Sequence, residues 1–251
     1  MKSLEGKVVI VSGGARDIGR AVSVKLAKEG AKVVVNYFNN PQDAEETLAI
    51  IEKHNGTAIA LQGDMTKKDD VDRLVAGATE KFGNVIHFVV NVAGGLVARK
   101  TITEMDEEFV NFLMRLNFNS AFLVTQACVP FMTEGGAVVN FSSQAARDGG
   151  GPGAAIYAAS KGAVMTYSRG LAKELGPKGI RVNSICPGMI NTTFHDEFTK
   201  DQVRANVAAA TPLKREGNAN EVADLVKYLL SDESSFINGN NIDINGGLAF
   251  S

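Results

Sequence analysis

The chain has 251 residues, of which 45% are hydrophobic and 22% are charged, and this composition supports one α/β domain with a substantial core. The formal net charge of −2 gives no electrostatic attraction for nucleic acid or for an anionic membrane, so we expect neither as a partner. No apolar run has the length of a membrane span or of a secretory signal, and we therefore expect a cytoplasmic protein.

Short apolar runs alternate with helical patterns along the chain. The strand candidates are residues 7–12, 32–36, 57–61, 86–90, 137–141, 181–185 and 241–244. The helical stretches lie near residues 17–29, 41–54, 67–82, 104–127, 154–175 and 219–231. Apolar strands that alternate with helices predict a doubly wound parallel sheet with helices on both faces, in a single domain over residues 1–251.

The first strand candidate is followed by a glycine-rich segment and then by a helical pattern. This segment begins at Gly13 and ends at Gly19, and its sequence is G-G-A-R-D-I-G. Free N–H groups at the start of such a helix are suited to hold a pyrophosphate, and glycine lets the backbone approach the ligand closely. The alternative is an ordinary turn between a strand and a helix.

Polar residues, glycine or proline follow several of the strand candidates. These residues are Gly13, Asp64, Asn91, Ser143 and Pro187. Ligands of open α/β sheets bind beyond the carboxyl ends of the strands, so we expect these residues to converge on one crevice.

The two cysteines, Cys128 and Cys186, lie in apolar runs. Their spacing is not that of metal ligands, so we expect no metal site. Buried free thiols of this kind are typical of a reducing compartment, which agrees with a cytoplasmic location.

Tyr157 and Lys161 are four residues apart in Y-A-A-S-K, so both side chains project from the same face of a helix. An unperturbed tyrosine has a pKa of about 10 and exchanges protons poorly near pH 7. A neighbouring ammonium favours the phenolate and lowers this pKa, and a hydroxyl such as that of Ser143 can hydrogen-bond the substrate oxygen. The Y-x-x-x-K spacing also arises by chance, so its weight depends on the surrounding motifs.

These segments resemble the short-chain dehydrogenase/reductase family over nearly the whole chain. The family's T-G-x-x-x-G-x-G corresponds to residues 12–19, its N-N-A-G to residues 91–94, and its P-G to Pro187 and Gly188, followed by Thr192. Its catalytic residues correspond to Asn117, Ser143, Tyr157 and Lys161. The resemblance implies a single-domain Rossmann fold with a parallel seven-stranded sheet, and an NAD(P)H-dependent oxidoreductase.

The resemblance also implies a mechanism. Tyr157 gives a proton to the oxygen of a carbonyl that receives hydride from the cofactor, and Ser143 donates a hydrogen bond to that oxygen. Lys161 lowers the pKa of Tyr157 and holds the nicotinamide ribose, while Asn117 holds a water behind Lys161 for proton relay. Ser142 is the alternative serine, but the family's spacing favours Ser143 and leaves Ser142 facing the core.

The residues implied in cofactor binding lie at the strand ends and in the glycine-rich segment. They are Gly13, Arg16, Asp17, Ile18, Gly19, Asn36, Asp64, Met65, Asn91, Ala93, Gly94, Tyr157, Lys161, Pro187, Gly188, Ile190 and Thr192. Within this set, Asp64 matches the family's adenine-contacting aspartate.

The residue after the second strand helps to choose between the two nicotinamide cofactors. An acid there binds both ribose hydroxyls and repels a 2′-phosphate, but this chain has Asn36 and Tyr37. Arg16 lies where family members that use the phosphorylated cofactor often carry a base, and a guanidinium suits a phosphate. We therefore expect NADPH. NADH stays open, as does the alternative that Arg16 is a solvated loop residue.

Two positions depart from the family pattern. Asp17 replaces the middle glycine of the first motif, and Val92 replaces the second asparagine of N-N-A-G. A carboxylate that faces a pyrophosphate is repelled, so we expect Asp17 to turn toward N–H groups of its own helix or toward Arg20. We expect Val92 to leave the backbone course unchanged.

Few residues indicate the substrate. The segment 188–212 resembles the family's mobile substrate lid and contains His195. Gln144 and Arg147 are further candidates to meet a polar or carboxylated substrate. The alternatives are a solvent-exposed His195 and an Arg147 paired with Asp148 or with a neighbouring subunit. We expect a small-molecule substrate, a polar keto compound such as a sugar or keto acid derivative.

Two other functions stay open. A 3-oxoacyl-[acyl-carrier-protein] reductase needs a basic patch for its acidic carrier, and residues 131–134 lack one. A non-catalytic, cofactor-sensing scaffold is expected to lack one of the catalytic residues, all of which are present. The apolar faces of helices 104–127 and 154–175, through which the family commonly assembles, imply a homotetramer.

Overall fold

The computed structural model describes residues 3–250, apart from the side chains of Phe194, His195 and Glu197. Its strands are β1 Val8–Ser12, β2 Lys32–Tyr37, β3 Thr57–Gln62, β4 Phe88–Asn91, β5 Ala137–Phe141, β6 Arg181–Pro187, β7 Ile190–Asn191, β8 Gly217–Asn218 and β9 Asn241–Ile244. Its helices are α1 Asp17–Lys28, α2 Pro41–Lys53, α3 Lys68–Phe82, α4 Glu107–Met114, α5 Ser120–Cys128, α6 Ala145–Asp148, α7 Ala155–Leu175, α8 Thr193–Phe198, α9 Asp201–Ala210 and α10 Ala219–Leu230.

Seven of the strands form one parallel sheet in the order β3-β2-β1-β4-β5-β6-β9. The strand order changes direction between β1 and β4, whose register pairs Ser12 with Asn91. Loops that leave the sheet on the two sides of this point diverge and open a crevice at the carboxyl ends of the strands. The predicted doubly wound parallel sheet is confirmed.

Both faces of the sheet are buried because the central strands are apolar throughout. Val9 and Val11 of β1 pack on one face with Leu26 of α1 and with residues of α2 and α10. Ile10 lies between them and packs on the opposite face with Leu74 of α3 and with residues of α5 and α7. The central strands are therefore fixed from two sides, and the polar residues at their ends have little freedom to move.

Two helices begin with side-chain caps. The side chain of Asn40 accepts a hydrogen bond from Gln42 N at 3.2 Å, and Pro41 occupies the first turn of α2. α10 begins with a capping box, in which Asn218 accepts from backbone N–H groups and Glu221 accepts from Asn218 N.

Two regions differ from the sequence prediction. The helix predicted over 104–127 is divided into α4 and α5 by a π-helical turn at Arg115–Asn119. The predicted lid contains the short helices α8 and α9, and the strand pair β7-β8 lies at its base. Weak hydrophobic periodicity in these short segments explains why their helices were not predicted.

The described part of the chain contains no helix that is long and apolar enough to cross a membrane. Within residues 3–250, no group of three or more His, Cys, Asp or Glu side chains is placed to hold a metal ion. Cys128 and Cys186 are free and buried. Burial raises the pKa of the Cys128 thiol to about 12, so this side chain behaves as a small apolar group.

Candidate active site

Tyr157 and Lys161 lie one turn apart on α7, where this helix crosses the end of β5. The Lys161 ammonium lies 6.0 Å from the centre of the Tyr157 ring and donates a hydrogen bond to the carbonyl of Phe141 at 2.8 Å. Lys161 is buried, and Tyr157 is partly buried. The pair therefore combines a fixed buried cation with a phenol that a ligand can reach.

The serine beside Tyr157 is Ser143. Its hydroxyl hydrogen-bonds with the Tyr157 phenol and accepts a hydrogen bond from Ala145 N at 3.1 Å. The Ser142 hydroxyl instead donates to the backbone carbonyl of Lys161 at 2.8 Å and is buried. One serine thus faces the phenol, and the other attaches β5 to the catalytic turn of α7.

Burial dominates the proton affinities of this pair. It lowers the pKa of Lys161 from 10.5 to about 8, and the nearby Cys186 acts in the opposite direction. Burial also raises the pKa of Tyr157, and the hydrogen bond with Ser143 acts against this rise. The pKa of Tyr157 is therefore raised by burial, whereas the sequence-based expectation was that the nearby ammonium would lower it.

Asn117 lies in the π-helical turn and is fixed by its own amide. Its Nδ2 donates to Gly95 O at 3.0 Å and to Leu113 O at 3.1 Å, and its Oδ1 accepts from Gly95 N at 2.9 Å. Both amide hydrogens are used, which leaves one lone pair of Oδ1 for a further donor. A Cβ added to Gly94 would lie 2.6 Å from Asn117 Oδ1 and 3.1 Å from Lys161 Nζ, so Gly94 lets these two groups approach one another.

The glycine-rich loop is closely packed against the end of β4. Gly13 has φ +63°, and a Cβ there would lie 3.0 Å from the Ala93 backbone. A Cβ on Gly19 would lie 2.0 Å from Gly13 O, which is an impossible contact. Only glycine fits at position 19, and the absence of a side chain leaves the N–H groups at the start of α1 accessible. These features fit the pyrophosphate of a dinucleotide.

Asn36 stabilises this loop with its side chain. Its Oδ1 accepts from Gly13 N and its Nδ2 donates to Gly63 O, both at 3.0 Å, and the residue is 2% exposed. The amide is thus engaged with the protein, and the part of Asn36 in cofactor binding stays a prediction. Sequence alone does not distinguish these roles, because a loop and a ligand present the same donors and acceptors.

Asp17 turns in neither of the predicted directions. Its carboxylate accepts hydrogen bonds from the backbone N–H of Thr193 at 3.0 Å and from the Thr193 hydroxyl at 2.6 Å. Arg20 is held on α2, where it pairs with Asp43 at 3.3 Å and Glu46 at 3.0 Å. The sequence-based prediction for Asp17 is wrong because the lid supplies donors that lie far away in the sequence.

Arg16 remains available to a ligand at the edge of the loop. Its side chain is 65% exposed, and its Nε lies 3.8 Å from Asp17 Oδ2. Ile18 is partly buried and packs against the core. Asp64 accepts from the backbone N–H and the hydroxyl of Thr66, at 2.9 and 2.7 Å, and Met65 is buried. Arg16 is therefore the exposed cation of this loop.

Asn91 also has a structural role. Its Nδ2 donates to Thr125 Oγ1 at 2.9 Å and to Asn140 Oδ1 at 2.8 Å, and Asn140 donates to Ser168 Oγ at 2.9 Å. This buried chain links β4, β5, α5 and α7. The amide hydrogens of Asn91 thus satisfy other polar groups in the core, and its part in cofactor binding stays a prediction.

The segment after β6 lies beside the Ser143 loop. Pro187 O accepts from Gln144 N at 2.9 Å, and a Cβ on Gly188 would lie 3.1 Å from Gln144 Oε1. Thr192 donates its hydroxyl to Ile190 O at 3.1 Å. Pro187 and Gly188 thus lie directly beside Gln144.

The three substrate candidates have different outcomes. Gln144 is next to Ser143, and its Nε2 donates to Asp148 Oδ2 at 3.2 Å. Arg147 pairs with Asp243 of β9 at 3.1 Å and donates to Asn241 O, so its guanidinium is engaged within the protein, and its contact with a substrate stays a prediction. A carboxylate on a distant strand attracts its guanidinium. The side chain of His195 lies outside the described residues.

Two arginines hold the lid and were not predicted from the sequence. Arg204 pairs with Asp196 and Glu216 and donates to Asn191 at 2.9 Å, which joins the lid helices to its base. Arg99 donates to Phe198 O at 3.3 Å and to Pro152 O at 3.1 Å. No local sequence signal indicates these contacts, because their partners come from separate segments.

Comparisons with known proteins agree with this geometry. Short chain dehydrogenase/reductase nsrJ of Aspergillus novofumigatus is 34% identical, with 98% of this chain and 97% of the relative covered. The family model described as Enoyl-(Acyl carrier protein) reductase matches residues 13–249. The chain belongs to the short-chain dehydrogenase/reductase family. It is thus a member of a family of oxidoreductases with a Rossmann fold.

Other members of the family are similar over their whole length. Versicolorin reductase stcU of Emericella nidulans is 35% identical, with 97% of this chain and 96% of the relative covered. A short-chain dehydrogenase of Burkholderia cenocepacia, solved in complex with NADP, has a TM-score of 0.91 and 32% identity, with 98% and 99% covered. A Serratia marcescens family member has a TM-score of 0.93 and 29% identity, with 99% and 100% covered.

The buried ammonium leads to a prediction about stability. We expect Lys161→Met to melt at a higher temperature than the wild type at pH 7, without cofactor. The folded pKa of about 8 lies below the ordinary 10.5, so the cost of the buried charge is complete below pH 8 and disappears as the pH rises toward 10.5. This pKa shift corresponds to a destabilisation of the folded state by on the order of 3 kcal/mol, which Lys161→Met removes. Loss of the hydrogen bond to Phe141 offsets about 1 kcal/mol of this gain.

Thermal melting of both proteins at pH 7 and pH 10 tests this prediction. The difference in melting temperature between Lys161→Met and the wild type should be smaller at pH 10 than at pH 7. Lys173→Met, at an exposed position of α7, should melt at the wild-type temperature at both pH values. A Lys161→Met protein that melts below the wild type at pH 7 contradicts the prediction.

The contact at Gly19 leads to a second prediction. Gly19→Ala should lose stability by roughly 1–3 kcal/mol, because the added methyl displaces the Gly13 backbone. Gly170→Ala on α7 is the matched control, since a Cβ there meets nothing within 4 Å and should gain up to about 1 kcal/mol. Chemical denaturation of the two variants measures both changes, and equal stabilities would reject the close contact.

Proposed function

We propose that the protein is an NADPH-dependent reductase that converts the carbonyl of a small polar keto compound, such as a sugar or keto acid derivative, into an alcohol, or runs the reverse reaction. The observation that carries this proposal is the hydrogen-bonded pair of Ser143 and Tyr157 hydroxyls, one helical turn from the buried Lys161. Two hydroxyl groups that meet at one point suit a single oxygen atom whose charge changes during the reaction.

The proton chemistry follows from the environments of these groups. Tyr157 keeps its proton near neutral pH because burial raises its pKa, so it is ready to protonate a developing alkoxide. Ser143 donates its hydroxyl to the same oxygen and fixes the position of the carbonyl. In the reverse direction, Tyr157 accepts the proton of the alcohol.

Lys161 and Asn117 support this step. Lys161 is positioned to hold ribose hydroxyls, and its charge stabilises any negative charge that forms on Tyr157. The remaining lone pair of Asn117 Oδ1 is suited to hold a water for proton relay. Gly94 keeps these two groups close together.

The crevice residues fit a nicotinamide dinucleotide, which supplies the hydride when bound. The cradle formed by Gly13 and Gly19 would hold its pyrophosphate at the start of α1. Asp64, Pro187, Gly188, Ile190 and Thr192 would line the rest of the site. The exposed Arg16 would pair with a 2′-phosphate, and the NADP complex of the Burkholderia cenocepacia relative supports this choice over NADH.

A second candidate is the reduction of an acyl group on an acyl carrier protein. It is favoured by the printed description of the matching family model. Residues 131–134 offer no basic patch for an acidic carrier, which counts against it. Acceptance of acetoacetyl or crotonyl thioesters in preference to small ketones would support this candidate.

We also propose a cytoplasmic homotetramer assembled through α4, α5 and α7. Phe112 and Phe122 are more than a third exposed, and Tyr167 of α7 lies edge-on to the Phe122 ring at 6.3 Å. Such an exposed aromatic surface suits a second subunit. Light scattering during gel filtration measures the assembly, and a monomer at micromolar concentration would refute the proposal.

The test of the function is a screen of aldehydes, ketones, sugars and keto acids that follows the loss of NADPH absorbance. Tyr157→Phe should abolish turnover of any accepted substrate and leave NADPH binding nearly intact, because only the proton donor is lost. Fluorescence titration of NADPH is the control for binding. Substantial turnover by Tyr157→Phe would remove the catalytic assignment.

The proposed preference for NADPH has its own test. Arg16→Ala should raise the KM for NADPH roughly tenfold or more, because a charge-assisted contact to phosphate is lost. The KM for NADH should change little, since NADH lacks the 2′-phosphate. Equal changes for the two cofactors would mean that Arg16 does not contact the phosphate, and a native preference for NADH would overturn the cofactor proposal.

A further inference from the structure

The carboxylate of Asp17 connects the two ends of the cofactor crevice. Asp17 is the first residue of α1, directly within the glycine-rich loop. Thr193 is the first residue of α8, the first lid helix, and lies 176 positions away in the sequence. The carboxylate accepts both the N–H and the hydroxyl of Thr193, at 3.0 and 2.6 Å, so both of its oxygens bind the lid.

The backbone at Asp17 shows that this side chain has a local cost. Its φ is +49°, in the left-handed region where glycine is favoured. A glycine at this position would form the same loop without strain. The side chain is not needed to cap its own helix either, because α1 has no side-chain cap and Asp17 bonds with Thr193 instead. The two hydrogen bonds to the lid are therefore the shortest described contacts of this carboxylate, which also lies 3.8 Å from Arg16 Nε.

The lid is joined to its own base by a separate set of contacts. Arg204 of α9 pairs with Asp196 of α8 and with Glu216, and it donates to Asn191 of β7. These bonds make α8, α9 and the β7-β8 pair one connected unit. The Asp17–Thr193 pair joins the first residue of α8 to the phosphate-binding loop, and Arg99 joins its last residue, Phe198, to Pro152. Loss of the Asp17–Thr193 pair therefore frees one end of α8 and leaves the bonds within the lid intact.

We propose that Asp17 and Thr193 form a latch that holds the lid on the phosphate-binding loop and controls the exchange of the dinucleotide. Asp17 is a positioning residue in this role, since it acts on the lid rather than on the reacting atoms. The identity of the exchanged ligand rests on the proposed function, whereas the latch itself is a property of the free protein. Thr192, which is proposed to line the cofactor site, directly precedes α8, so we expect opening of the latch to precede entry or release of the dinucleotide.

A matched set of variants tests the latch. Thr193→Val removes the hydroxyl donor, and Thr193→Ser retains it. Asp17→Gly removes both acceptors, the backbone strain and the neighbour of Arg16, so Thr193→Val, which leaves Arg16 and Asp17 in place, is the cleaner variant for NADPH release. Asp69→Asn changes an exposed carboxylate on α3 as a control. Hydrogen exchange of residues 193–198 is measured first in the protein without cofactor. Asp17→Gly and Thr193→Val should exchange roughly fivefold faster or more, while Thr193→Ser and Asp69→Asn should stay within about twofold of the wild type.

The rate of NADPH release is the second measurement, followed by stopped-flow fluorescence. Release from Asp17→Gly and Thr193→Val should be faster by a similar factor, and the double variant should release no faster than Asp17→Gly, because the two residues form one contact. Asp17→Gly should melt no lower than the wild type, since it loses strain as well as bonds. If Asp17→Gly melts at a lower temperature than the wild type, the latch is judged from the exchange and release rates of Thr193→Val compared with those of Thr193→Ser.

Two outcomes would overturn the proposal. One is unchanged hydrogen exchange of residues 193–198 in both Asp17→Gly and Thr193→Val. The other is faster exchange without faster release, which would show a contact that does not control the ligand. If the protein does not bind NADPH at all, the proposed function fails, and the exchange experiment still decides whether the latch exists.

Discussion

Lys161 brings a positive charge to a position that is 4% exposed to solvent, and much of the site is arranged around that charge. A buried ammonium costs several kcal/mol unless hydrogen bonds replace its water. The Phe141 carbonyl supplies one such bond, because β5 ends where α7 crosses it. Ser142 fixes the backbone of Lys161 from the other side. The reactive geometry therefore depends on the packing of one strand end against one helical turn.

Polar residues near the crevice either bind a ligand or stabilise the surrounding loops, and the sequence alone does not distinguish these two roles. Asn36 is the second-last residue of β2 and Asn91 is the last residue of β4, yet their amides bind other parts of the protein. A loop that leaves room for a ligand must still satisfy its own N–H and carbonyl groups, and asparagine does this well because it has both donors and an acceptor. The side chains of these asparagines thus stabilise the loops around the crevice, while the glycines leave backbone groups accessible to a ligand.

The sequence was sufficient for the sheet, the main helices and the proximity of Ser143, Tyr157 and Lys161. Those features depend on local periodicity, on helical spacing, and on the rule that parallel strands end at one edge. It was insufficient for Asp17 and Arg147, whose partners Thr193 and Asp243 are distant in sequence. A single sequence records which charges exist, but tertiary packing selects the partner of each one. The lid helices were missed because their hydrophobic periodicity is weak, and Arg204 with its carboxylates holds them in place instead.

The π-helical turn at Arg115–Asn119 shapes the site without being needed to keep the chain helical in this region. Such a turn contains an additional residue compared with an α-helical turn, and it widens the helix locally. If that extra residue were lost, α4 and α5 could merge into one regular helix with their apolar faces still aligned. The widened turn that carries Asn117 would then vanish, and Gly95 would lose the amide that fixes it. Deletion of one residue here could thus leave the fold intact and still remove Asn117 from its position in the crevice.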